Sequence, residues 1–443
     1  MSGDAQPEVT VAFATLGCKV NQYDTATMET FLSANRCRVV PFDAGADVYV
    51  VNTCTVTDRA DAESRRLARR ARRRNPRARV VVTGCYAQTS PGEAAAVDGV
   101  DYVVGIGRLG DILRAVRGQV DDLTEGRVFV NDVRKDTRVS TLGAETFSGQ
   151  TRAFLKLQEG CDLFCTFCIV PFARGRSRSV EPRRVLAEME RLAARGYREV
   201  VLTGVHLGGY GRDLSPRLNL ADLVEMLAAR SPIERIRLSS VDPPEVSERL
   251  LGLMSGSDVI CPHLHMPVQA ASDPVLGRMR RKYGVAELAD VVSAISQALP
   301  GCGLGTDLIA GFPGESRADF EEGIERLAAM PFTYFHVFPY SIRRGTTAAK
   351  AGDPVERSVI RERARRLREL GERKRVEFHE SRLGRSMAVL IENRRESASG
   401  DLVGYSSAYA RVLVEGDDNL MNQIVAVRGE RRCGDFVRGS TVS

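Results

Sequence analysis

EGCDLFCTFCIVP, at residues 159–171, contains three cysteines in a C-x3-C-x2-C spacing: Cys161, Cys165 and Cys168. The stretch directly follows the predicted strand AFLKLQ (153–158), and β/α barrels carry their chemistry at the C-terminal ends of strands. A structural zinc site normally has four ligands, and no fourth cysteine or histidine lies nearby in the sequence. Three thiolates on a four-iron cluster leave one iron free to bind another ligand. The spacing therefore predicts an iron–sulfur cluster with an open iron.

Strands alternate with helices on both sides of residues 118–150, a segment without strong periodicity that we interpret as a linker. Four strands are predicted before it: VTVAFATLG (9–17), VYVVNT (48–53), ARVVVTG (78–84) and DYVVG (101–105). Six strands are predicted after it: AFLKLQ (153–158), EVVLTG (199–204), RIRLSS (235–240), HLHMPV (263–268), TDLIAG (306–311) and YFHVFPY (334–340). The first group indicates a parallel sheet covered by helices on both faces, and the second suits an open, partial (β/α)6 barrel.

The C-terminal part of the chain changes character. Residues 355–380 read as a long charged helix, and short β-like runs at 386–392, 410–415 and 422–428 predict a small β-barrel. The predicted class is therefore α/β, with a parallel-sheet domain, a partial barrel and a terminal β-barrel. The predicted bounds are 1–117 for the first domain, 118–150 for the linker, 151–375 for the partial barrel and 376–443 for the terminal barrel.

Bulk composition fits a globular chain of several domains. Hydrophobic residues make up 43% and charged residues 27% of the 443 residues. No apolar run reaches the roughly 18 residues of a membrane span, and the first ten residues lack the features of a secretory signal, so we expect a cytoplasmic protein without a membrane partner. Ten cysteines in such a chain favour metal or catalytic use over disulfides. The net charge of +6 permits a nucleic-acid partner without requiring one.

A second set of three cysteines is scattered along the first domain. Cys18, Cys54 and Cys85 each sit at or just past the end of a predicted parallel strand. Because parallel strands bring their C-terminal ends to one edge of the sheet, we expect these cysteines to meet in space and to hold a second cluster with an open iron. A redox dithiol is the weaker alternative, since this domain has no C-x-x-C. The other cysteines have no partner at useful spacing and are interpreted as packing residues: Cys37, Cys261, Cys302 and Cys433.

The 159–171 stretch resembles the signature of radical S-adenosylmethionine enzymes, including the aromatic Phe167 before the last cysteine. In that superfamily the open iron chelates the methionine part of the cofactor, whose reductive cleavage yields a 5′-deoxyadenosyl radical. The resemblance also implies that Phe167 binds the cofactor and that Gly204, Ser240 and Asp307 line its pocket. Ordinary turn and strand chemistry is the alternative reading of those three positions.

Together the two cysteine trios resemble the methylthiotransferases over nearly the whole chain. The motifs that carry the resemblance are TLGCKVNQYD (15–24), NTCTVT (52–57), VVTGCYAQ (81–88), LHMPVQAASDPVLGRMRRKY (264–283) and GTDLIAGFPGE (305–315). The C-terminal region resembles the RNA-binding TRAM domain of that family. The run CKVNQY (18–23) is similar to enzymes that modify N6-threonylcarbamoyladenosine at position 37 of tRNA. Enzymes acting on N6-isopentenyladenosine typically have the sequence Cys-Gln-Met-Asn at this point, and those acting on ribosomal protein S12 typically have Cys-Pro-Lys-Asn. Neither sequence matches this chain.

The family resemblance implies two 4Fe-4S clusters, S-adenosylmethionine, tRNA as substrate and an electron donor such as flavodoxin or ferredoxin. One S-adenosylmethionine would methylate sulfur at the Cys18, Cys54 and Cys85 cluster, and a second would provide the radical that abstracts hydrogen from C2 of the adenine. No histidine–carboxylate constellation is evident in the sequence, so no protein side chain is predicted to be catalytic, and His206 is interpreted as a packing residue. Three alternatives remain: a ribosomal protein side chain as substrate, N6-isopentenyladenosine as substrate, and a non-catalytic iron–sulfur protein that binds RNA or carries electrons.

Two arginine-rich stretches are candidate RNA contacts. RRLARRARRRNPRAR (65–79) holds nine arginines and no acid, and ARGRSRS (173–179) follows the first cysteine trio. Like charges at helical spacing destabilise a helix, so the lack of nearby acids suggests an anionic partner. The terminal region 381–443 has nine arginines against eight acids, a net charge of +1, and its best aromatic platforms for bases are Tyr405 and Tyr409.

Overall fold

The computed structural model describes residues 8–120, 126–137, 139 and 143–442. The first seven residues lie outside the described residues. They are part of the predicted first domain, and the prediction that the chain has no secretory signal rests partly on them. So do residues 121–125, 138 and 140–142 of the predicted linker, and the last residue of the chain. Within the described part, no helix is both long enough and apolar enough to cross a bilayer.

The N-terminal domain is a six-stranded parallel sheet in the order β2-β1-β3-β4-β5-β6. Its strands are β1 (Val9–Thr15), β2 (Cys37–Val40), β3 (Val48–Thr53), β4 (Arg79–Gly84), β5 (Tyr102–Val104) and β6 (Val128–Phe129). Its helices are α1 (Lys19–Ala34), α2 (Asp58–Arg74), α3 (Cys85–Thr89), α4 (Pro91–Ala95) and α5 (Leu109–Arg117). The four predicted strands are present, and two short edge strands that the sequence did not reveal complete the sheet. Every residue of β3 is buried, as expected for a strand with helices on both faces.

The central domain is an open barrel of six parallel strands with one short antiparallel strand, β8, at its edge. Its strands are β7 (Ala153–Glu159), β8 (Arg178–Ser179), β9 (Glu199–Gly204), β10 (Arg235–Leu238), β11 (His263–Gln269), β12 (Gly303–Ala310) and β13 (Tyr334–Pro339). Its helices are α6 (Val170–Arg174), α7 (Pro182–Ala194), α8 (Leu220–Arg230), α9 (Glu248–Ser255), α10 (Asp273–Met279), α11 (Val285–Ala298) and α12 (Arg317–Ala329).

The strands of this domain form two sheets that single bridges join into one curved wall. The first has the order β10-β9-β7-β8, with the short β8 antiparallel to β7, and the second is β11-β12-β13. Parallel bridges between Ile236 and Ile260 and between Ser240 and His265 connect β10 to β11. Among the described strands, β13 does not pair with β7 or with β8, so the barrel stays open. The predicted partial (β/α)6 barrel is confirmed.

The terminal domain is a closed five-stranded barrel in the order β14-β15-β16-β18-β17. It follows the long helix α13 (Arg357–Glu380). Its strands are β14 (Ser386–Arg395), β15 (Leu402–Ser406), β16 (Arg411–Val414), β17 (Ile424–Cys433) and β18 (Phe436–Thr441). The predicted small β-barrel is confirmed, although β15 and β18 were not anticipated. The predicted boundary between residues 375 and 376 falls inside α13.

A buried ion cluster ties the terminal barrel to the central domain. Glu199 on β9 is fully buried and lies 2.7 Å from Arg237 Nε and 3.4 Å from Arg235 Nε. Arg237 also donates hydrogen bonds to the carbonyls of Ser406 and Ser407 in the terminal barrel, at 3.2 and 2.8 Å. Burial acts to raise the pKa of Glu199, but the charges of Arg237 and Arg235 outweigh it and hold that pKa at about 2. The carboxylate is therefore ionised at neutral pH and balances two buried guanidinium groups.

Replacing Glu199 with glutamine is expected to lower the free energy of unfolding of the central domain by about 3–5 kcal/mol, because it leaves buried arginine charge uncompensated. The measurement is the urea-induced unfolding transition followed by far-UV circular dichroism. Glu234→Gln is the matched control, since that residue makes only an exposed ion pair with Arg198, which is worth less than about 1 kcal/mol. Equal unfolding midpoints for the two variants would contradict the role given to Glu199.

Candidate active site

The first cysteine trio surrounds one end of a cavity at the C-terminal ends of the barrel strands. Cys161 and Cys165 lie in the loop after β7, and Cys168 lies just before α6. All three line a cavity of about 370 Å³, a volume within the usual range for small-molecule sites. The structure thus brings these three cysteines together where β/α barrels carry their chemistry.

The environment of these thiols suits metal ligands. Burial raises the pKa of Cys161 and of Cys168 to about 12, and a buried thiol of this kind is inert as a free nucleophile. A thiol that coordinates a metal loses its proton outright. The backbone N–H of Leu163 donates to Cys161 Sγ at 3.5 Å, and Arg281 Nη1 donates to Cys165 Sγ at 3.5 Å. Such hydrogen bonds to sulfur help to set the potential of an iron–sulfur cluster, so the donor set fits a cluster.

The predicted cofactor-pocket residues are found mostly at this cavity. Three of the four line it: Phe167, Ser240 and Asp307. Gly204 is not among the described lining residues, whereas Val205 and His206, which follow it, are. A side chain on Gly204 would meet Gln158 Oε1 at 3.2 Å. Gly204 therefore packs against β7, and the lining position is shifted by one residue.

Two histidine–carboxylate groups border the cavity, and sequence inspection missed both. His265 Nε2 and His336 Nδ1 lie 2.9 and 3.2 Å from Asp307 Oδ1. His206 Nε2 lies 2.7 Å from Glu245 Oε1, so the interpretation of His206 as a mere packing residue was incomplete. The first group comes from three neighbouring strands, and Asp307 pairs directly with His336 in the β12–β13 register. Only the register of the paired strands, which cannot be read from the sequence, could have revealed this group.

The second cysteine trio lies at the C-terminal edge of the N-terminal sheet. Cys18 directly precedes α1, Cys54 directly follows β3, and Cys85 opens α3 immediately after β4. Asn21 Oδ1 lies 3.9 Å from Cys18 Sγ and 4.0 Å from Cys85 Sγ. Burial raises the pKa of Cys54, and it raises that of Cys85 to about 12. Cys18 and Cys85 therefore approach the same side-chain oxygen, and Asn21 Nδ2 donates to the carbonyl of Thr53, the residue before Cys54, at 2.9 Å.

Glycines next to two of these cysteines make the convergence sterically feasible. Gly17 has φ +100°, and a Cβ there would lie 3.0 Å from Cys54 Sγ. Gly84 has φ +91°, and a Cβ there would lie 2.4 Å from Asn52 Oδ1. Glycine adopts such φ values without the steric cost that other residues incur. The chain can therefore turn closely past the Cys54 thiol and place Cys85 at the start of α3.

Arg174 follows the first trio in sequence and lies beside the second trio, a position that local sequence could not predict. It ends α6, six residues after Cys168, and its buried guanidinium donates to Asn21 Oδ1 at 2.5 Å, to Asp24 at 2.9 Å and to Glu159 at 2.8 Å. Its positive charge acts on Cys85, opposing the effect of burial on the pKa of that thiol. A cation from the central domain therefore lies beside the second trio.

The segment after Cys54 forms part of the wall of the first cavity. Val56 and Thr57 line the same 370 Å³ cavity as Cys161 and Cys168. Thr57 fixes this segment, because its side chain caps α2 by accepting a hydrogen bond from Ala60 N–H at 3.2 Å. The segment that begins two residues after Cys54 therefore reaches the cavity of the first trio from the N-terminal domain.

The RNA contacts predicted for residues 173–179 are wrong for two of the three arginines. Arg174 is buried as described above. Arg178 is buried as well and donates to the carbonyls of Val133 and Asp136 at 3.3 and 3.0 Å. Only Arg176 is exposed. These side chains hold the domains together, which a local charge count cannot distinguish from nucleic-acid binding.

The arginine run at 65–79 is partly neutralised by acids that are distant in sequence. Arg72 lies 2.6 Å from Asp101, and both Arg70 and Arg74 lie about 3 Å from Asp43. Arg70, Arg72 and Arg74 therefore have acidic partners, contrary to the prediction from the local sequence. Three exposed arginines form no ion pair with any described residue: Arg69, Arg73 and Arg77.

The remaining cysteines are free thiols. Cys37, Cys261 and Cys302 are buried, as expected for packing residues, and Cys433 is half-buried at the end of β17.

Comparison with known proteins agrees with this geometry. Residues 10–105 match the family model of the uncharacterized protein family UPF0004, and residues 155–327 match that of the radical SAM superfamily. The chain is 41% identical over 426 residues to the threonylcarbamoyladenosine tRNA methylthiotransferase MtaB of Bacillus subtilis, covering 95% of this chain and 93% of that protein. It is 31% identical over 440 residues to the tRNA-2-methylthio-N(6)-dimethylallyladenosine synthase of Moorella thermoacetica, covering 98% of each.

The solved structure of the radical S-adenosylmethionine methyltransferase TsrM from Kitasatospora setae aligns with a TM-score of 0.55 at 17% identity, over 74% of each chain. That likeness concerns the fold alone. The sequence relatives match over nearly the full length of the chain. The chain therefore belongs to the radical S-adenosylmethionine tRNA methylthiotransferases, enzymes that use S-adenosylmethionine and 4Fe-4S clusters.

Proposed function

We propose that this protein transfers a methylthio group to C2 of N6-threonylcarbamoyladenosine at position 37 of tRNA. The observation that supports the reaction most strongly is that the cavity of the first cysteine trio is also lined by Val56 and Thr57, which directly follow the Cys54 segment of the second trio. The choice of threonylcarbamoyladenosine as the substrate is supported by the CKVNQY run at 18–23. It is supported also by 41% identity to the threonylcarbamoyladenosine relative, against 31% to the dimethylallyladenosine relative.

Each trio has its own part in this proposal. Cys161, Cys165 and Cys168 would hold one cluster beside S-adenosylmethionine, and the second trio would hold the other cluster: Cys18, Cys54 and Cys85. When bound, these groups supply the radical chemistry that can break an unactivated C–H bond and the sulfur that is transferred.

The side chains around the cavity would bind the ligand and enclose it. Arg281 and Asp242 both line the cavity and form an ion pair at 2.8 Å, which holds the Arg281 guanidinium beside Cys165 Sγ. Phe167 packs edge to face on Phe312 with ring centroids 6.3 Å apart. It gives the cavity an apolar wall that excludes water from one side.

Exposed aromatic residues at the rim favour a single-stranded RNA loop as substrate. Phe164 and Phe172 flank the first cysteine trio and are 47% and 42% exposed, and Phe338, which lines the cavity, is 40% exposed. Unstacked bases of RNA loops are commonly held on aromatic side chains. We propose that this rim holds the bases next to position 37.

We propose that α2 and the turn after it bind the phosphate backbone through Arg69, Arg73 and Arg77. Replacing all three with glutamine is expected to weaken tRNA binding and to reduce the slope of log Kd against log salt by about 2, because fewer counterions are released on binding. The measurement is fluorescence anisotropy of labelled tRNA over a salt series.

The matched control carries the same loss of charge at the far end of the barrel: Arg195→Gln, Arg198→Gln and Arg230→Gln. These arginines lie at the ends of α7 and α8 and before β9, opposite the end that carries the chemistry. A control slope that falls as much as that of the test variant would contradict a specific role for the 69–77 surface.

The experiment that tests the function is mass spectrometry of tRNA nucleosides from cells lacking the protein. Loss of the methylthio derivative of threonylcarbamoyladenosine, with return on complementation, is the expected result. Loss of the isopentenyladenosine derivative, or a change only in a ribosomal protein, would contradict the proposed substrate. The predicted flavodoxin or ferredoxin donor and the cytoplasmic location remain predictions.

A further inference from the structure

Four charged side chains form a closed network beside the second cysteine trio. Arg174 donates to Asp24 at 2.9 Å and to Glu159 at 2.8 Å, and Lys156 donates to the same two carboxylates at 2.7 and 2.9 Å. Each acid therefore pairs with both cations, and the charges balance, as charges withdrawn from water require. Asp24 lies on α1, Lys156 and Glu159 lie on β7, and Arg174 ends α6. The network thus joins the N-terminal domain to the central domain.

Asn21 connects this network to the thiols of the trio. Arg174 Nη2 donates to Asn21 Oδ1 at 2.5 Å, and the same oxygen lies 3.9 Å from Cys18 Sγ and 4.0 Å from Cys85 Sγ. Among the described hydrogen bonds, Arg174 is the member of the network that reaches Asn21. Its guanidinium is therefore separated from two of the three thiols by a single amide oxygen.

The orientation of the Asn21 amide makes this contact important when the thiols bind a metal. Asn21 Nδ2 donates to the carbonyls of Leu16 and Thr53 at 2.7 and 2.9 Å, so the oxygen is the end that faces the thiols. An amide oxygen can only accept hydrogen bonds, and a thiol that coordinates a metal has lost the proton that it could donate. Arg174 then remains as the donor to Asn21 Oδ1.

The charge of Arg174 favours the ionised form of the neighbouring thiols. Burial raises the pKa of Cys54 and of Cys85, and the charge of Arg174 acts in the opposite direction on both thiols. Burial also acts to lower the pKa of Arg174 itself, but the charges around it, with Glu159 first, outweigh burial and hold that pKa well above its usual range. The guanidinium is therefore a permanent positive charge beside the trio.

This charge comes from the segment that follows the first trio. The helix α6 begins two residues after Cys168 and ends at Arg174, and it packs against α3, which Cys85 opens. The central domain thus supplies a cation to a trio whose cysteines all belong to the N-terminal domain. Net charge and hydrogen bonds near the sulfurs are among the factors that set the reduction potential of an iron–sulfur cluster.

We propose that Arg174 is a positioning residue for the second cluster, which fixes Asn21 against the trio and holds a positive charge there that favours the reduced state of the cluster. The physical reason is that one-electron reduction adds a negative charge, which a nearby cation stabilises in a protein interior. This inference rests on the proposed function, because it takes Cys18, Cys54 and Cys85 as ligands of a cluster. Arg174 itself neither binds iron nor takes part in the transfer.

The test measures the reduction potential of the second cluster by a redox titration followed by electron paramagnetic resonance. The parent is the full-length protein with alanine in place of the first trio, Cys161, Cys165 and Cys168, so that one cluster remains. Arg174→Gln is expected to shift the one-electron equilibrium about tenfold toward the oxidised cluster, a fall of about 59 mV. Arg174→Lys keeps the charge and should retain most of the parent potential. Arg176→Gln is the matched control, because it loses the same charge from an exposed side chain two residues away, where solvent and salt screen it.

A double variant, Arg174→Gln with Glu159→Gln, keeps the buried charges balanced if the single variant does not fold. Its potential should also fall below that of the parent, because only the removed cation contacts Asn21 among the described hydrogen bonds. An unchanged potential in the variant that folds would overturn the inference, as would an equal fall in Arg176→Gln. A parent protein that binds no iron would refute the cluster on which this inference and the proposed function both depend. The choice of nucleoside fails separately, in the nucleoside analysis described above, and leaves these potentials unaffected.

Discussion

Cys54→Ala is expected to abolish methylthio transfer while leaving the cleavage of S-adenosylmethionine to 5′-deoxyadenosine intact. Cys54 belongs to the trio on the N-terminal sheet, whereas S-adenosylmethionine is assigned to the cavity of the other trio. Loss of a direct cluster ligand is expected to exceed the roughly 10- to 100-fold effect of losing an outer partner of a metal site. The measurement is chromatography of 5′-deoxyadenosine and of tRNA nucleosides from the same anaerobic reaction.

The matched control for this variant is Cys37→Ala. Cys37 is buried in the same domain, on β2, and contacts neither trio among the described hydrogen bonds. The Cys37→Ala protein should still form both 5′-deoxyadenosine and the methylthio nucleoside. A Cys54→Ala protein that makes the methylthio nucleoside at the control rate would contradict the assignment of sulfur delivery to this trio.

Cys161→Ala is expected to abolish both products. The cavity that Cys161 lines is the one assigned to S-adenosylmethionine, and without its cluster no radical chemistry can begin. Cys302→Ala provides the control, because Cys302 is a buried cysteine of the same domain that does not line the described cavity.

The contrast between the two cysteine variants tests the division of labour. If Cys54→Ala loses 5′-deoxyadenosine to the same extent as Cys161→Ala, the two trios do not act separately, and the scheme proposed above is wrong. Continued formation of 5′-deoxyadenosine by Cys161→Ala would contradict the assignment of the cofactor to the central cavity.

The order of elements and the positions of the cysteines could be predicted from the sequence because their signals are local. Apolar strands followed by glycine and cysteine, as at Gly17-Cys18 and Gly84-Cys85, mark the edge of a parallel sheet directly. Short edge strands such as Cys37–Val40 carry too few residues to show a period. The two strands missed in the terminal barrel, Leu402–Ser406 and Phe436–Thr441, each contain an interior glycine, which weakens the strand signal.

The features that the sequence did not reveal are those that depend on contacts between distant residues. Arg174 resembles part of a basic surface stretch, yet its buried guanidinium meets Asn21 and Asp24, about 150 residues earlier in the chain. Arg70 and Arg74 look unpaired until the fold brings Asp43 beside them. The rings of His263, Tyr334 and Tyr409 likewise meet only once β11, β13 and the terminal barrel are assembled.

The account depends on each cysteine trio holding its own cluster, and iron content tests this most directly. Anaerobic reconstitution should saturate at about eight irons per chain, two clusters of four. Each triple variant should saturate at about four: Cys18→Ala with Cys54→Ala and Cys85→Ala, and Cys161→Ala with Cys165→Ala and Cys168→Ala. Saturation of the wild type at about four irons, with no change in the first triple variant, would leave the N-terminal trio without a cluster and contradict the account.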